Sequence, residues 1–151
     1  MLKGIDPLLS PELLKILCEM GHGEEVVLVD ANFTSQTLGQ GKPLVRLPGI
    51  GLQRASAALL SVFPLDAMVD QPVAFMKVCH TADGYLSALQ RTMLEQIVAS
   101  GAATPEQCEA VERFAFYERV KGAYAIVQTG EMQPYANFLF KKGVISDPLA
   151  G

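Results

Sequence analysis

Histidine, cysteine and charge are all scarce in this chain, and each shortage narrows what it does. Only two histidines are present, His22 and His80. Any role that needs an imidazole therefore falls to one of them. The three cysteines, Cys18, Cys79 and Cys108, are odd in number and widely spaced. They form neither a disulfide framework nor a zinc-binding pattern, and they suit a reducing, cytoplasmic setting. Charged residues make up 19% of the chain, against roughly 25% in an average soluble domain. The net charge is −4 and no basic stripe is present, so nucleic acid is not an expected partner. Long apolar runs are missing too. None reaches the ~20 residues that cross a bilayer, and Met1-Leu2-Lys3-Gly4 leads into Asp6-Pro7 without the apolar region of a signal peptide. No membrane partner is expected. There is no internal repeat, linker or low-complexity tract.

What is present is apolar. Half of the 151 residues are hydrophobic, and the length suits one domain over residues 1–151 with a substantial core. That is more apolar surface than one small core hides, so part of it is expected to lie between subunits of a homo-oligomer.

The apolar pattern alternates between helical and strand periods. Ser10 caps a helix that starts at Pro11, carries Leu13, Leu14, Leu17 and Cys18 on one stripe, and stops at Gly21. Val26-Val27-Leu28-Val29 reads as a strand buried on both faces, with Asp30 at its carboxyl end. Thr34 to Lys42 reads as a loop. After Pro48-Gly49-Ile50-Gly51, the residues Leu52, Ala55, Leu59 and Val62 mark a helix ended by Pro64. Val73 to Met76 is a second buried strand. Leu86, Leu89, Met93 and Ile97 line a helix that ends near Gly101. Thr104 with Gln107 spells a capping box that opens a helix, whereas Cys108 to Arg113 reads equally well as a strand. Phe114 to Gly122 suits a helix, and Tyr124 to Val127 and Phe138 to Phe140 suit strands. The alternation predicts an α/β fold of three layers, α/β/α, around a mostly parallel or mixed central sheet.

The polar residues gather at the ends of these elements. Gly21-His22-Gly23 joins a helix end to the strand that closes on Asp30, and imidazole both takes and gives a proton near neutral pH. Asp30 sits where open α/β sheets hold their ligands. Arg113, Tyr117, Thr129-Gly130-Glu131 and Pro134-Tyr135-Ala136-Asn137 form a second polar group. Each has a plainer reading: His22 can simply face a helix dipole, Asp30 can cap a turn, and Tyr135 to Asn137 can be turn chemistry. Gly49-Ile50-Gly51 is not a dinucleotide fingerprint, because Arg54 stands where the third glycine belongs. Cys79-His80 offers adjacent ligands that point apart on a strand, with no third. Lys141-Lys142 can meet a phosphate, but two adjacent lysines are usually a solvated face.

Several stretches together resemble a known family. The opening, Met1 to Lys15, the turn Gly21-His22-Gly23-Glu24, the run Asp30-Ala31-Asn32-Phe33 and the block Arg113-Phe114-Ala115-Phe116-Tyr117-Glu118-Arg119 are similar to L-fucose mutarotases. Thr129-Gly130-Glu131 through Tyr135-Ala136-Asn137 to Lys141-Lys142-Gly143-Val144 is shared with the sister D-ribose pyranases. Ala136 matches the pyranase pattern, and Glu24 stands where fucose enzymes more often have Asp. Asn32-Phe33 and the Arg113 block favour the fucose branch. The resemblance also turns Cys108 to Arg113 towards a strand.

The resemblance implies a monosaccharide mutarotase that interconverts α and β anomers, with pyranose–furanose exchange of D-ribose, or a non-catalytic accessory of sugar uptake, as the alternatives. It implies ring-shaped decamers with sites near subunit contacts. It carries proton transfer to His22 and sugar contacts to Asp30, Arg113, Tyr135 and Asn137, with Asp30 either orienting the imidazole or holding a hydroxyl. Phe116 or Tyr117 would pack the apolar face of the sugar. Ring opening and closure need only acid–base catalysis, so no cofactor or metal is expected.

Overall fold

A computed structural model describes residues 1–146. The elements run α1 (Pro11–Glu19), β1 (Glu25–Val29), α2 (Ser35–Leu38), β2 (Leu44–Leu47), α3 (Leu52–Leu60), β3 (Val73–Met76) and α4 (Ala88–Ala99). A 3-10 turn (Pro105–Gln107) then leads to β4 (Cys108–Val111), α5 (Arg113–Gly122), β5 (Ala125–Thr129) and β6 (Phe138–Lys141). The six strands form one sheet in the order β2-β5-β1-β6-β3-β4.

Direction within that sheet positions the site. β1 pairs parallel with β5, β5 with β2, and β3 with β4. Only β6 runs the other way, between β1 and β3, with Leu28 opposite Phe138 and Phe75 opposite Phe138 on its other side. The carboxyl ends of the five parallel strands therefore share one edge of the sheet, and the entry to β6 lies on the same edge. The amino ends and the exit from β6 share the opposite edge.

Alternation along the strands divides the core into two layers. Val26, Leu28, Phe75, Val127, Phe138 and Phe140 face one side, where Leu13 and Leu17 of α1, Leu52 and Leu59 of α3, and Met93 and Ile97 of α4 cover them. Val27, Val29, Ala74, Met76, Ile126 and Leu139 face the other side, under Phe33 and Phe116 and Val120 of α5. The expected three-layer α/β/α architecture with a mixed sheet is what forms.

Local chemistry sets the element boundaries. The Ser10 side chain accepts the Leu13 N–H at the start of α1, and Ser87 and Gln90 make a reciprocal capping box on α4. Lys142 closes α1 from a distance. Its ammonium donates to the carbonyls of Leu17 (2.6 Å) and Met20, at the negative end of the helix dipole. Neither lysine of the 141–142 pair is a simple solvated face, since Lys141 pairs with Glu25 at 3.2 Å. α1 ends at Glu19 with Met20 as its cap, before Gly21. Both readings of residues 104–113 hold in part. Thr104 N–H donates to Gln107 Oε1 (2.9 Å) around a single 3-10 turn, and the strand follows at once.

Two elements depart from the pattern-based expectation. The Thr34–Lys42 loop contains the four-residue helix α2, and Leu44–Leu47 forms the edge strand β2. β2 pairs on one side only and exposes Arg46, so its apolar alternation is weak. The Gly49–Gly51 segment is a helix-entry turn with Gly51 at the N-cap of α3. It packs against Gly130 so tightly that a Cβ there would meet Gly49 N at 2.5 Å.

Candidate active site at the carboxyl edge of the sheet

A cavity of about 510 Å³ opens at the edge where the parallel strands end. Asp30 enters it from the end of β1, Met76 from the end of β3, Arg113 from the first turn of α5, and Tyr135 and Asn137 from the segment leading into β6. Topology alone brings these together, because β6 runs against its neighbours. Asn32, Phe33, Thr34, Tyr117 and Pro134 complete the lining. Polar groups and apolar faces thus alternate around a space within the ~300–1,000 Å³ typical of small-molecule sites.

Asp30 and Asn137 form the buried floor. The Asp30 N–H donates to Asn137 Oδ1 at 3.0 Å, and Asp30 Oδ1 accepts the Asn32 N–H at 3.0 Å. Asn137 turns its amide nitrogen towards Met76 Sδ at 3.8 Å. Burial raises the Asp30 carboxyl above its ordinary pKa, and the N–H of Asn32 and the amide of Asn137 oppose that rise. A carboxyl held this way accepts hydroxyl hydrogen bonds strongly once ionised.

Arg113 forms the rim. Its Nε donates to the Tyr117 hydroxyl at 3.0 Å, and its guanidinium lies 5.5 Å from the Tyr117 ring centre and 5.6 Å from that of Phe114. It is the first residue of α5, where a cation opposes the helix dipole. Glu112, the N-cap, accepts the N–H groups of Phe114 and Ala115 and offsets that cost. Of the two aromatic candidates, Phe116 is fully buried in the core and only Tyr117 lines the cavity.

Tyr135 is held in an unusual backbone conformation. Its φ is +60°, in the left-handed region that side chains rarely adopt. The buried Gln90 secures it, donating from one amide nitrogen to the carbonyls of Tyr135 (3.1 Å) and Met76 (2.7 Å). Gln90 carries no distinguishing mark in the sequence.

His22 lies elsewhere. It precedes β1 whereas Asp30 follows it, and the strand between them spans roughly 16 Å. Within one chain, Asp30 therefore does not orient the imidazole. The partner of His22 is Asp66, with Nε2 and Oδ2 3.1 Å apart, on the opposite edge of the sheet. The dipole contact open to His22 is made instead by Lys142. Asp66 was not among the sequence candidates. A lone carboxylate two residues after Pro64 looks like turn chemistry, and only the Leu65–Lys142 bridge shows what it faces.

Among the described residues, no cluster of three or more histidine, cysteine or acidic side chains is arranged to hold a metal ion, and no helix is long and apolar enough to cross a membrane.

The chain is similar to known proteins along nearly its whole length. A model of the RbsD / FucU transport protein family matches residues 3–145. The L-fucose mutarotase of Glaesserella parasuis is 45% identical over 144 residues, which cover 95% of this chain and 96% of that protein. The crystal structure of the fucose mutarotase from Streptococcus pneumoniae in complex with L-fucose matches with a TM-score of 0.85 and 39% identity, covering 96% of this chain and all of that one. Bacillus subtilis RbsD complexed with D-ribose shares the fold at a TM-score of 0.73, with 22% identity.

Proposed function

Because the chain belongs to the RbsD / FucU transport protein family, we propose that it is a mutarotase that interconverts the α and β anomers of L-fucose or a closely related sugar. The observation that carries this is the meeting of Asp30, Arg113, Tyr135 and Asn137 in one cavity. A carboxylate, a guanidinium, a phenol and an amide give a neutral polyhydroxylated ligand both donors and acceptors. Phe33, Met76, Pro134 and the Tyr117 ring offer its C–H faces apolar contact.

The reaction opens and recloses a hemiacetal ring. A base takes the proton of the anomeric hydroxyl, the C1=O1 bond forms, and the C1–O5 bond breaks with its electron pair left on O5. O5 then takes a proton. Rotation about C1–C2 presents the other face of the aldehyde, and the reverse steps close the ring. His22 is the proton-transfer residue in this reading. Arg113 stabilises negative charge as it develops on the sugar oxygens, and Asp30, Tyr135 and Asn137 fix hydroxyls.

His22 and the cavity occupy opposite edges of the sheet, so the imidazole is supplied by a neighbouring copy. Packing the amino edge of one subunit against the carboxyl edge of the next is a head-to-tail interface, which closes into a ring where the rotation between copies sums to a full turn. Exposed apolar side chains stand at both edges: Phe114 and Met132 near the cavity, and Met68 beside Asp66. We place the protein as a ring-shaped decamer in the cytoplasm, consistent with its three free cysteines.

Exchange NMR of the anomeric proton tests the reading. Faster α/β exchange of L-fucose with the protein, lost in His22→Ala, is expected. Acceleration confined to D-ribose, between pyranose and furanose, would assign the protein to the pyranase branch. No acceleration of either sugar, with binding retained, would leave a sugar-binding accessory.

A further inference from the structure

The His22–Asp66 pair is built rather than incidental. Asp66 is 4% exposed at its side chain while His22 is 45% exposed, so a buried carboxylate holds an imidazole that faces outward. Both are fastened to one residue. Lys142 accepts the Gly23 N–H at 2.8 Å and donates its own N–H to Glu24, which fixes the His22 turn. The isolated bridge between Lys142 and Leu65 fixes the segment carrying Asp66, whose N–H donates to the Lys141 carbonyl at 3.0 Å. Gly143 packs so closely on this segment that a Cβ would meet the Leu65 carbonyl oxygen at 2.4 Å.

The hydrogen-bond count decides the tautomer. Asp66 Oδ1 accepts the Met68 N–H at 3.0 Å, which leaves Oδ2 for His22. The Met68 N–H above all, with the His22 imidazole and the Lys141 charge adding to it, holds this carboxyl below the ordinary carboxylate range although burial opposes them. An ionised carboxylate only accepts, so the nitrogen facing it carries the proton.

We propose that Asp66 is the positioning residue for His22: it fixes the neutral imidazole with its proton on Nε2, so that Nδ1 is the atom that exchanges protons with the sugar. This rests on His22 being the proton-transfer residue. Nδ1 takes the anomeric hydroxyl proton as C1=O1 forms and C1–O5 breaks, and it returns that proton to O5 directly or through one water. The imidazolium formed in between keeps its Nε2–H on Asp66, which stabilises the added charge. The charged groups around the pair are Lys141 and, through Lys141, Glu25. Glu24 is turned back onto the Gly21 N–H at 2.6 Å.

The experiment combines tautomer and rate on the assembled protein. Long-range proton–nitrogen NMR of ¹⁵N-histidine-labelled protein reads the tautomer, and a His80→Asn variant assigns the two histidines. The neutral His22 ring is expected to carry its proton on Nε2. Asp66→Asn is expected to slow L-fucose anomer exchange on the order of 10²-fold, the direction seen when a histidine's orienting carboxylate is lost, with sugar affinity unchanged. A neutral His22 protonated at Nδ1 in the unmodified protein would overturn the proposal. So would full-rate exchange in Asp66→Asn when His22→Ala is slow. Full-rate exchange in His22→Ala instead removes the reading on which the proposal rests, and the proposal with it.

Discussion

Asn137 Oδ1 accepts the backbone N–H of Asp30 at 3.0 Å, across 107 residues of sequence. This single bond joins the end of β1 to the start of the antiparallel β6, and both ends of it line the cavity. Replacing Asn137 with Leu leaves a buried N–H unpaired. That is expected to cost about 1–3 kcal/mol, read as a shift in the urea midpoint, and to abolish fucose binding in a titration. Wild-type stability in Asn137→Leu would show that water replaces the side chain.

Two carboxylates at opposite edges of the sheet shift in opposite directions, and stability should follow. Burial raises the Asp30 pKa, so folding binds its proton more tightly than the unfolded chain does. Stability then falls as pH rises from the ordinary carboxylate value through the raised one. Asp30→Asn should therefore melt higher than wild type at neutral pH, while losing exchange activity, and lose that advantage in acid. Asp66 is lowered, chiefly by the Met68 N–H. Its contribution is present above the ordinary carboxylate value and lost as pH falls through the lowered one. Asp66→Asn should melt lower than wild type at neutral pH, with the gap closing in acid. Circular dichroism melts from neutral to about pH 2 cover the window. Same-sign effects for the two variants would contradict the assignment.

The left-handed backbone at Tyr135 gives a cleaner test than removal of its ring alone. Tyr135→Ala and Tyr135→Gly both delete the phenol and should both lose fucose affinity. Only glycine adopts φ +60° without strain, so Tyr135→Gly should be more stable than Tyr135→Ala by about 1 kcal/mol. Equal stabilities by chemical denaturation would mean that the backbone relaxes when the ring is gone.

A site shared between copies predicts complementation. His22→Ala and Asp30→Asn proteins should each be inactive alone. Unfolded together and reassembled as mixed rings, about one interface in four pairs an intact His22 with an intact Asp30, if subunits mix at random around a head-to-tail ring. Exchange NMR should then recover about a quarter of the wild-type rate. No recovery in mixed rings verified by native mass spectrometry would place His22 outside the working site.

The sequence made the buried strands legible because Val26–Val29 and Val73–Met76 are apolar at every position, a pattern that only a strand covered on both faces requires. A helix with a capping residue was legible for the same local reason, Ser10 before α1 being the example, whereas the Ser87 cap of α4 was not picked out. β2 was not, because an edge strand with an exposed Arg46 needs little apolar periodicity. Asp30, Arg113, Tyr135 and Asn137 were legible as polar groups at element ends, but their meeting depends on strand order and on the reversed β6, which no local pattern encodes. The separation of His22 from Asp30 was hidden for a related reason. A strand carries the residues before and after it to opposite edges of a sheet, and eight residues look short in a sequence but not in an extended chain.

β6 is the last strand among the described residues, yet it occupies the middle of the sheet. Until it inserts, β1 with β5 and β2 on one side, and β3 with β4 on the other, have nothing to join them by hydrogen bonds. Folding thus has to bring together two half-sheets with apolar edges, and the cavity has no floor until they meet. The seam closes only when residues 138–141 pair on both sides, so a chain that lacks them keeps most of its core residues and has no assembled site.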